Sequence, residues 1–487
     1  MSRWILVGLI VAAGLTLRLY HLGFQDIWHD EAFSLSASHQ SFGPMTKDIV
    51  HDFVHPPLHY YLLHVWMRLI GFGIYQGRLL SVLFGVAAIG MTYLLAEYSF
   101  DWRTGWLAAF MLAVSQYGVR YSQEVRPYEM AVFLAAAATY FFARALRERS
   151  ARWWWSFVAA ATLAAYTHYY TLCVVLTLAA FGLANRRRYR LPWSWWASGT
   201  AAASLCFVPW LMSGVVQVSL QSPKRTLGFT NPNMSFTFGR LVAAINTFDN
   251  GKVLGVNTPT PAWAVLMGAL LFLVPAGLAL LPLVRRQRAD AEAARDGLWM
   301  MGLTVVVPIL AIVGMSVRAG FQFAPWYLQF SMVPYYILAA RGILGLRTAV
   351  LRGAAIVALA AFSGPALWAH YTIPFKGAYR EAVAYMVAEF REGDACVNVN
   401  VRRLDSGPYR QWFVYQPGRP YVPSMTLDAV AAGRTSCRRL WLVFDYYPGL
   451  YPDRRFQREA QRRLESRWKL VSEHPYYGLE ISLYKNR

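Results

Sequence analysis

Apolar stretches of 18 or more residues recur along the first 370 positions of this chain. That single feature limits what the chain can fold into. A segment of that length with few charges fits the hydrocarbon core of a bilayer, where every backbone polar group must be bonded within the segment. The pattern predicts a polytopic α-helical membrane protein. We place about eleven spans, at 4–22, 79–98, 105–121, 128–146, 153–168, 170–184, 193–213, 261–284, 298–317, 326–345 and 350–370. Only 15% of the residues are charged, against about 25% in ordinary globular chains. Soluble, disordered and fibrous classes are thereby excluded. The apolar segment 58–70 is too short to span and carries His59, His64 and Arg68 at helical spacing. It is expected as an amphipathic helix lying on the membrane. The first span ends in Arg18-Leu19-Tyr20 without a small-residue cleavage site, so it reads as retained rather than as a signal peptide.

The formal net charge is +21, a value that in a soluble chain would suggest nucleic acid. Here the basic residues cluster between apolar segments, as in Arg144, Arg147, Arg149 and Arg152, or Arg186, Arg187, Arg188 and Arg190, or Arg285, Arg286, Arg288 and Arg295. The positive-inside rule explains these clusters without nucleic acid. It sets the N-terminus inside and the loops 23–77 and 214–260 outside. Residues 1–370 then form a transmembrane domain and residues 371–487 an extracytoplasmic α/β domain. In that tail, 378–391 has helical periodicity, and 395–401, 440–446 and 478–484 read as strands. Cys396 and Cys437 both fall in the outer, oxidising compartment, and a bridge between them is left open. There is no zinc-type cysteine spacing.

Chemistry gathers at the outer membrane edge. The first outer loop holds Trp28-His29-Asp30-Glu31-Ala32. A carboxylate there can take a proton from an acceptor hydroxyl, or Asp30 can simply cap the helix that follows. The very short turn Ser122-Gln123-Glu124-Val125-Arg126-Pro127-Tyr128 carries a second acid and a cation at the lip of the bilayer. Such placement is costly unless the groups are paired or working. His55, before Pro56-Pro57, stands where a donor could reach a phosphate, and Arg18, Arg78, Arg126 and Arg318 are candidate phosphate ligands or interfacial anchors. His168 lies in the aromatic run Tyr166-Thr167-His168-Tyr169-Tyr170 and reads as architectural. No Walker A, GxGxxG or HExxH motif is present.

In order along the chain, Trp28–Ser34, His55-Pro56-Pro57-Leu58-His59-Tyr60-Tyr61, Gly77-Arg78-Leu79-Leu80-Ser81 and Ser122–Tyr128 resemble the motifs of the polyprenyl-phosphate-sugar glycosyltransferases of the GT-C superfamily. The resemblance is to family 39 and its bacterial RgtA/B/C/D-like branch. It implies a GT-C fold and inverting transfer of a sugar from a polyprenyl-phosphate donor to a hydroxyl of a glycan, lipid or protein. The setting implied is the outer face of a bacterial cytoplasmic membrane, with membrane lipids and no nucleic acid as further partners. Asp30 would be the base and Glu124 the second carboxylate. Glu31, His55, Arg78, Arg126, Tyr128 and Arg318 would contact substrate. No cofactor is required; a divalent cation, Mg or Mn, is optional and would lie at Asp30 and Glu124. Two positions depart from the family pattern. His55 stands where some relatives carry Lys, and Trp326-Tyr327-Leu328 where many carry Arg-Tyr-Leu. The rival of another class is a transporter or flippase of lipid-linked sugars, whose site would lie mid-membrane.

Overall fold

The structure is a computed structural model. It describes residues 2–52, 54–220, 236–250, 260–284, 292–319, 323–399, 427–433, 437–445 and 455–487. The remaining parts of the outer loop 214–260, the arginines at 285, 286 and 288, and the ends of the expected strands at 400–401 and 446 lie outside the described residues.

The chain opens with α1 (Arg3–Leu19), then three helices of the first loop: α2 (His29–His39), α3 (Phe42–Asp52) and α4 (Leu58–Ile70). There follow α5 (Ile74–Ser99), α6 (Trp102–Val114), α7 (Gln116–Ser122), α8 (Tyr128–Glu148), α9 (Ala151–Thr167), α10 (Thr171–Ala184), α11 (Arg186–Tyr189) and α12 (Trp193–Leu220). After α13 (Phe238–Asn250) come α14 (Ala262–Leu283), α15 (Glu292–Ala319), a 3-10 segment at Pro325–Ser331, α16 (Met332–Leu344) and α17 (Ala349–Thr372). Among the described residues, five helices are long and apolar enough to cross a bilayer: Ile74–Ser99, Tyr128–Glu148, Ala262–Leu283, Ala294–Arg318 and Ala349–Thr372. At 17 residues each, α1 and α9 fall just short.

Local chemistry sets these boundaries. The Asp101 side chain accepts from Thr104 N and starts α6, and Thr348 does the same for α17 through Leu351 N. The third expected span is two helices rather than one. Ser115 ends α6 in an extended conformation, and its hydroxyl caps α7 by accepting from Gly118 N. The tenth begins as the 3-10 turn that Pro325 opens. Where α14 meets α16, a Cβ at Gly342 would run into the Pro275 backbone, so only glycine allows that approach. The amphipathic helix α4 buries His59, Tyr60, Leu63, His64 and Met67, and it exposes Val65, Leu69 and Ile70. Its imidazoles therefore face the protein, and its apolar side is left outward.

The bundle holds buried charge. Arg18, a candidate phosphate ligand, is fully buried and committed to protein. Its Nε donates to Ser122 Oγ at 2.9 Å, and its Nη atoms donate to the carbonyls of Gly14, Ala113 and Leu112. Glu129 is buried nearby and accepts from Gln329 at 2.8 Å.

The tail carries α18 (Tyr379–Glu389), β1 (Ala395–Val399), α19 (Leu427–Ala431), β2 (Arg439–Asp445), α20 (Arg455–Glu465), β3 (Trp468–Tyr476) and β4 (Leu479–Asn486). The four strands form one sheet in the order β1-β2-β4-β3. β1 and β2 are parallel, and the other pairs antiparallel. The sequence reading lacked β3. Its exposed, polar-rich outer positions lack an apolar run, and the antiparallel pairing with β4 fixes it. One sheet face (Cys396, Trp441, Val443, Ile481, Leu483) shares an apolar cluster with α18 and with Ile27, Ala32, Leu35, Leu63, Met67, Leu80 and Val125 of the helical part. The other face packs on α19 and α20. Cys396 belongs to the first cluster and Cys437 to the second. The sheet separates the two thiols and neither is in a disulfide, so the bridge left open by the sequence is not present.

Candidate active site

Successive residues of a helix point about 100° apart, and the first turn of α2 uses that rotation. Asp30 faces outward with its side chain 36% exposed, while Glu31 points in and is fully buried. Two neighbouring acids thus enter two different environments.

Glu31 enters a closed network. Arg78 grips it in a two-pronged pair, Nε to Oε1 at 3.1 Å and Nη2 to Oε2 at 3.3 Å. Lys376 Nζ lies 2.7 Å from Oε2, and Val125 N donates to Oε1 at 3.0 Å. Burial works to raise the Glu31 carboxyl. Arg78 and Lys376 outweigh it and hold the group below the usual carboxylate range. The rest of the Arg78 fork donates to the carbonyls of Leu22, Gln25 and Asp26. Arg78 and Glu31 therefore hold each other and the first loop, and neither presents a free group to a substrate.

Lys376 extends the network to Glu124, with Nζ 3.3 Å from Oε1, and Arg120 Nε approaches the same oxygen at 3.4 Å. Glu124 Oε2 is buried without a partner. The segment that delivers Lys376 is stitched to the first loop. Gln25 donates to the carbonyls of His370 and Ile373 and accepts from Phe375 N. Asp26 accepts from Arg380 N at 2.9 Å.

The short turn before α8 serves two sides at once. Arg126 N donates to Glu124 O at 2.8 Å, and the turn aims Arg126 at a second group. Its Nη2 lies 3.2 Å from Asp30 Oδ2 and 2.7 Å from His55 Nε2, and its Nη1 donates to Asp30 O. The guanidinium stands 5.5 Å from the Tyr128 ring centre. Around it are His55, His59, His168 and Tyr60, all buried. Burial, then the Arg126 charge, pushes His59 and His168 down to about 3 and His55 well below its ordinary value. All three imidazoles are therefore neutral at pH 7.

Asp30, Glu31, His55, Arg78, Glu124, Arg126 and Tyr128 thus meet in one region, drawn from α2, the turn before α4, α5 and the turn before α8. Arg318 does not join them; it stands exposed at the end of α15. Sequence reasoning missed Lys376 and Arg120. The signal for Lys376 was a lone lysine directly after the last span, at the edge that the charge asymmetry is expected to put outside. His168 was read as architectural, and it packs with its ring centre 4.9 Å from that of His55.

The carboxylates make a poor metal site. Asp30 is paired with Arg126, and Glu124 with Arg120 and Lys376. Among the described residues, no three His, Cys, Asp or Glu side chains are grouped to hold an ion.

Residues 54–212 match the family model described as dolichyl-phosphate-mannose-protein mannosyltransferase. The crystal structure of ArnT from Cupriavidus metallidurans bound to undecaprenyl phosphate is similar over 98% of this chain and 97% of that one, with a TM-score of 0.61 and 14% identity. The chain has the GT-C fold. The same fold recurs in the Archaeoglobus fulgidus oligosaccharyltransferase in complex with Zn and sulfate, at a TM-score of 0.54 and 12% identity, over 90% of this chain and 68% of that one. In complex with an inhibitory peptide and a dolichol-phosphate, the archaeal enzyme AglB gives 0.52 and 12%, over 91% and 69%. No curated protein sequence matches this GT-C chain.

Proposed function

We propose that the chain is a membrane glycosyltransferase that moves a sugar from a polyprenyl-phosphate donor to a hydroxyl acceptor. The observation that carries the reading is Asp30. It is the one carboxylate of the cluster that is partly open, and it sits on a helix N-terminus in a GT-C fold beside a buried arginine. In the reaction, Asp30 accepts the acceptor's hydroxyl proton as the oxygen bonds to the anomeric carbon. The bond from that carbon to the phosphate oxygen breaks, and the electron pair leaves on the lipid phosphate. That leaving group is stable as an anion, so positioning and cationic donors matter more than a general acid. Attack opposite the leaving phosphate inverts the anomeric centre. The free Oε2 of Glu124 suits an acceptor hydroxyl, and Lys376 and Arg120 hold that carboxylate in place.

We place this chemistry on the outer face of the membrane, with the N-terminus inside and the tail outside, from the asymmetry of the basic segments. Phosphatase fusions after residue 371 are expected to be active, and fusions within 185–190 silent.

The test is turnover by purified protein with a panel of polyprenyl-phosphate sugars. Wild type is expected to consume one of them. Asp30→Asn is expected to lose about 10²- to 10⁴-fold in rate, the usual contribution of a positioned base, with the fold intact. A folded Asp30→Asn variant with near-normal turnover would remove Asp30 as the base.

A further inference from the structure

The turn that carries Glu124 is gripped at the residue before it. Gln123 is buried, only 5% exposed. Its Nε2 lies 2.9 Å from Arg18 O and 2.7 Å from Tyr20 O, at the end of α1. Carbonyls can only accept, so that end of the amide is the NH2 group and the oxygen points the other way. Oε1 lies 2.9 Å from His370 Nε2. An amide oxygen has no hydrogen to give, so the imidazole carries its proton on Nε2 and donates. The other ring nitrogen faces the Gln116 amide at 3.4 Å. His370 is buried in the last turn of α17.

The same helix end reaches the turn a second time. Beyond His370, Lys376 Nζ stands 3.3 Å from Glu124 Oε1. The connection between the two points is not slack. Gln25 Nε2 donates to His370 O at 3.2 Å and to Ile373 O at 2.9 Å, and its Oε1 accepts from Phe375 N at 3.1 Å. His370 and Lys376 are thus fixed relative to each other. One bears on the residue before Glu124, the other on the carboxylate itself. Glu124 meets this bracket with one oxygen. Oε1 faces Lys376 and Arg120, while Oε2 is buried without a partner. A carboxylate anchored through a single oxygen turns with the backbone that carries it, so the aim of Oε2 follows Gln123.

Resting on the transferase reading for the work of Glu124, we propose that His370 is a positioning residue for that carboxylate, acting through the amide of Gln123. The tail continues directly from α17, so the same bond ties the tail's entry to the acidic turn. Without His370 Nε2–H, Gln123 Oε1 is left buried with no donor, and an orphaned buried acceptor is costly. A shift of the turn relieves that cost, and Glu124 moves with it.

The experiment compares the full chain in detergent as wild type and as three variants. His370→Phe keeps a planar ring and removes the donor. His370→Gln can place an amide N–H where Nε2 stood. His370→Asn carries the same amide one methylene short, where Nδ1 stood. Thermal melting checks the fold of each; if His370→Phe does not fold, the Gln and Asn pair carries both readouts. One readout, amide hydrogen exchange of residues 116–126, needs no turnover. Exchange is expected to rise across 122–126 in His370→Phe and His370→Asn, and to return toward wild type in His370→Gln. The other is kcat and KM with a polyprenyl-phosphate sugar, in a double-mutant cycle with Glu124→Gln. His370→Phe is expected to lower kcat about 10- to 100-fold, the upper figure being the cost of a misplacement of about 1 Å, with KM little changed. In the Glu124→Gln background the same substitution is expected to add almost nothing. Unchanged exchange in a folded His370→Phe variant would overturn the proposal, and so would a kcat loss that adds in full to that of Glu124→Gln. Exchange that rises evenly along the whole chain would overturn it too, because His370 would then only stabilise the fold. The transferase reading fails separately: wild type then turns over none of the sugars, while the exchange pattern still decides the role of His370.

Discussion

Asp30 and Glu31 are neighbours in sequence, yet the two sides of the site they open are built on opposite principles. On the Glu31 side, Arg78, Lys376 and Arg120 meet two carboxylates, and only Glu124 Oε2 and little else is left without a partner. On the Asp30 side, one arginine meets one partly open carboxylate, and buried nitrogens of His55, His59, His168 and Arg126 have no partner. A buried polar network that is fully bonded rigidifies what surrounds it. A buried set of donors left unbonded is a place that a ligand completes. The first side is therefore the frame, fastening the tail's entry segment to the first loop, and the second is the side that the proposed reaction uses. The open atom of the frame, Glu124 Oε2, is the one that the proposed reaction gives to the acceptor hydroxyl.

The sharpest way to break this contrast is to cut the frame at its centre. Glu31→Gln leaves Arg78 and Lys376 buried with one carboxylate fewer between them. Removing one partner of a buried pair typically costs about 3–5 kcal/mol. A large fall in melting temperature and poor recovery of folded protein in detergent are expected. A Glu31→Gln variant as stable as wild type would show that the network is not structural. Lys376→Met should do less, because Arg78 still neutralises Glu31 and Arg120 still reaches Glu124. A hydrogen bond to a charged group contributes about 1.5–3 kcal/mol. Lys376→Met is expected to lower kcat more than it raises KM, since it loosens Glu124 and leaves the cluster around Arg126 intact. A pure KM effect would place Lys376 on the donor side instead.

The two sides of the site were unequally legible in the sequence. The apolar periodicity gave the helices, because burial in lipid or protein demands it, and Leu58–Ile70 fell where its spacing put it. Asp30, Glu124 and Arg126 stood out because charge at a membrane edge is expensive. Glu31 and Arg78 stood out too, but not their bond to each other. A contact between residues 47 positions apart leaves no local pattern. Lys376 could be seen as a lone lysine after the last span, but its partners could not, since they depend on where the chain returns after α17. His168 reads as architectural because an aromatic belt and a buried imidazole cluster use the same residue types. That its ring centre stands 4.9 Å from that of His55 is a property of three dimensions. Ser115, which breaks the third span, gave no warning either; a serine in an apolar run is ordinary, and here its hydroxyl starts a new helix.

The smallest effect separates the two sides by pH. His59 and His168 are held at about 3, against about 6.5 in an unfolded chain. Between those values the unfolded state binds more protons, so stability is full above about pH 6.5 and falls as the pH drops toward 3. Glu31 behaves as a carboxylate with a lowered value. Its contribution is full above the ordinary carboxylate range near 4.5 and is lost only as the pH falls below that. The window from pH 6.5 to 5 therefore reads histidines and not Glu31, and the difference between wild type and a single histidine variant isolates that histidine from every other group that titrates there. His59 suits the test, because both of its ring nitrogens are unpartnered and a phenyl ring replaces it without breaking a bond. At one pH unit below 6.5 a buried neutral imidazole costs about 1.4 kcal/mol of stability. Going from pH 7.5 to 5.5, His59→Phe is expected to lose less stability than wild type by about that amount, read as a smaller fall in melting temperature. The gap between the two proteins should keep widening as the pH drops toward 3, on top of the loss both share below pH 4.5, where the Glu31 network begins to titrate. If the two curves instead run parallel from pH 6.5 downward, His59 titrates in the folded protein. The histidine side would then be wet and open rather than dry.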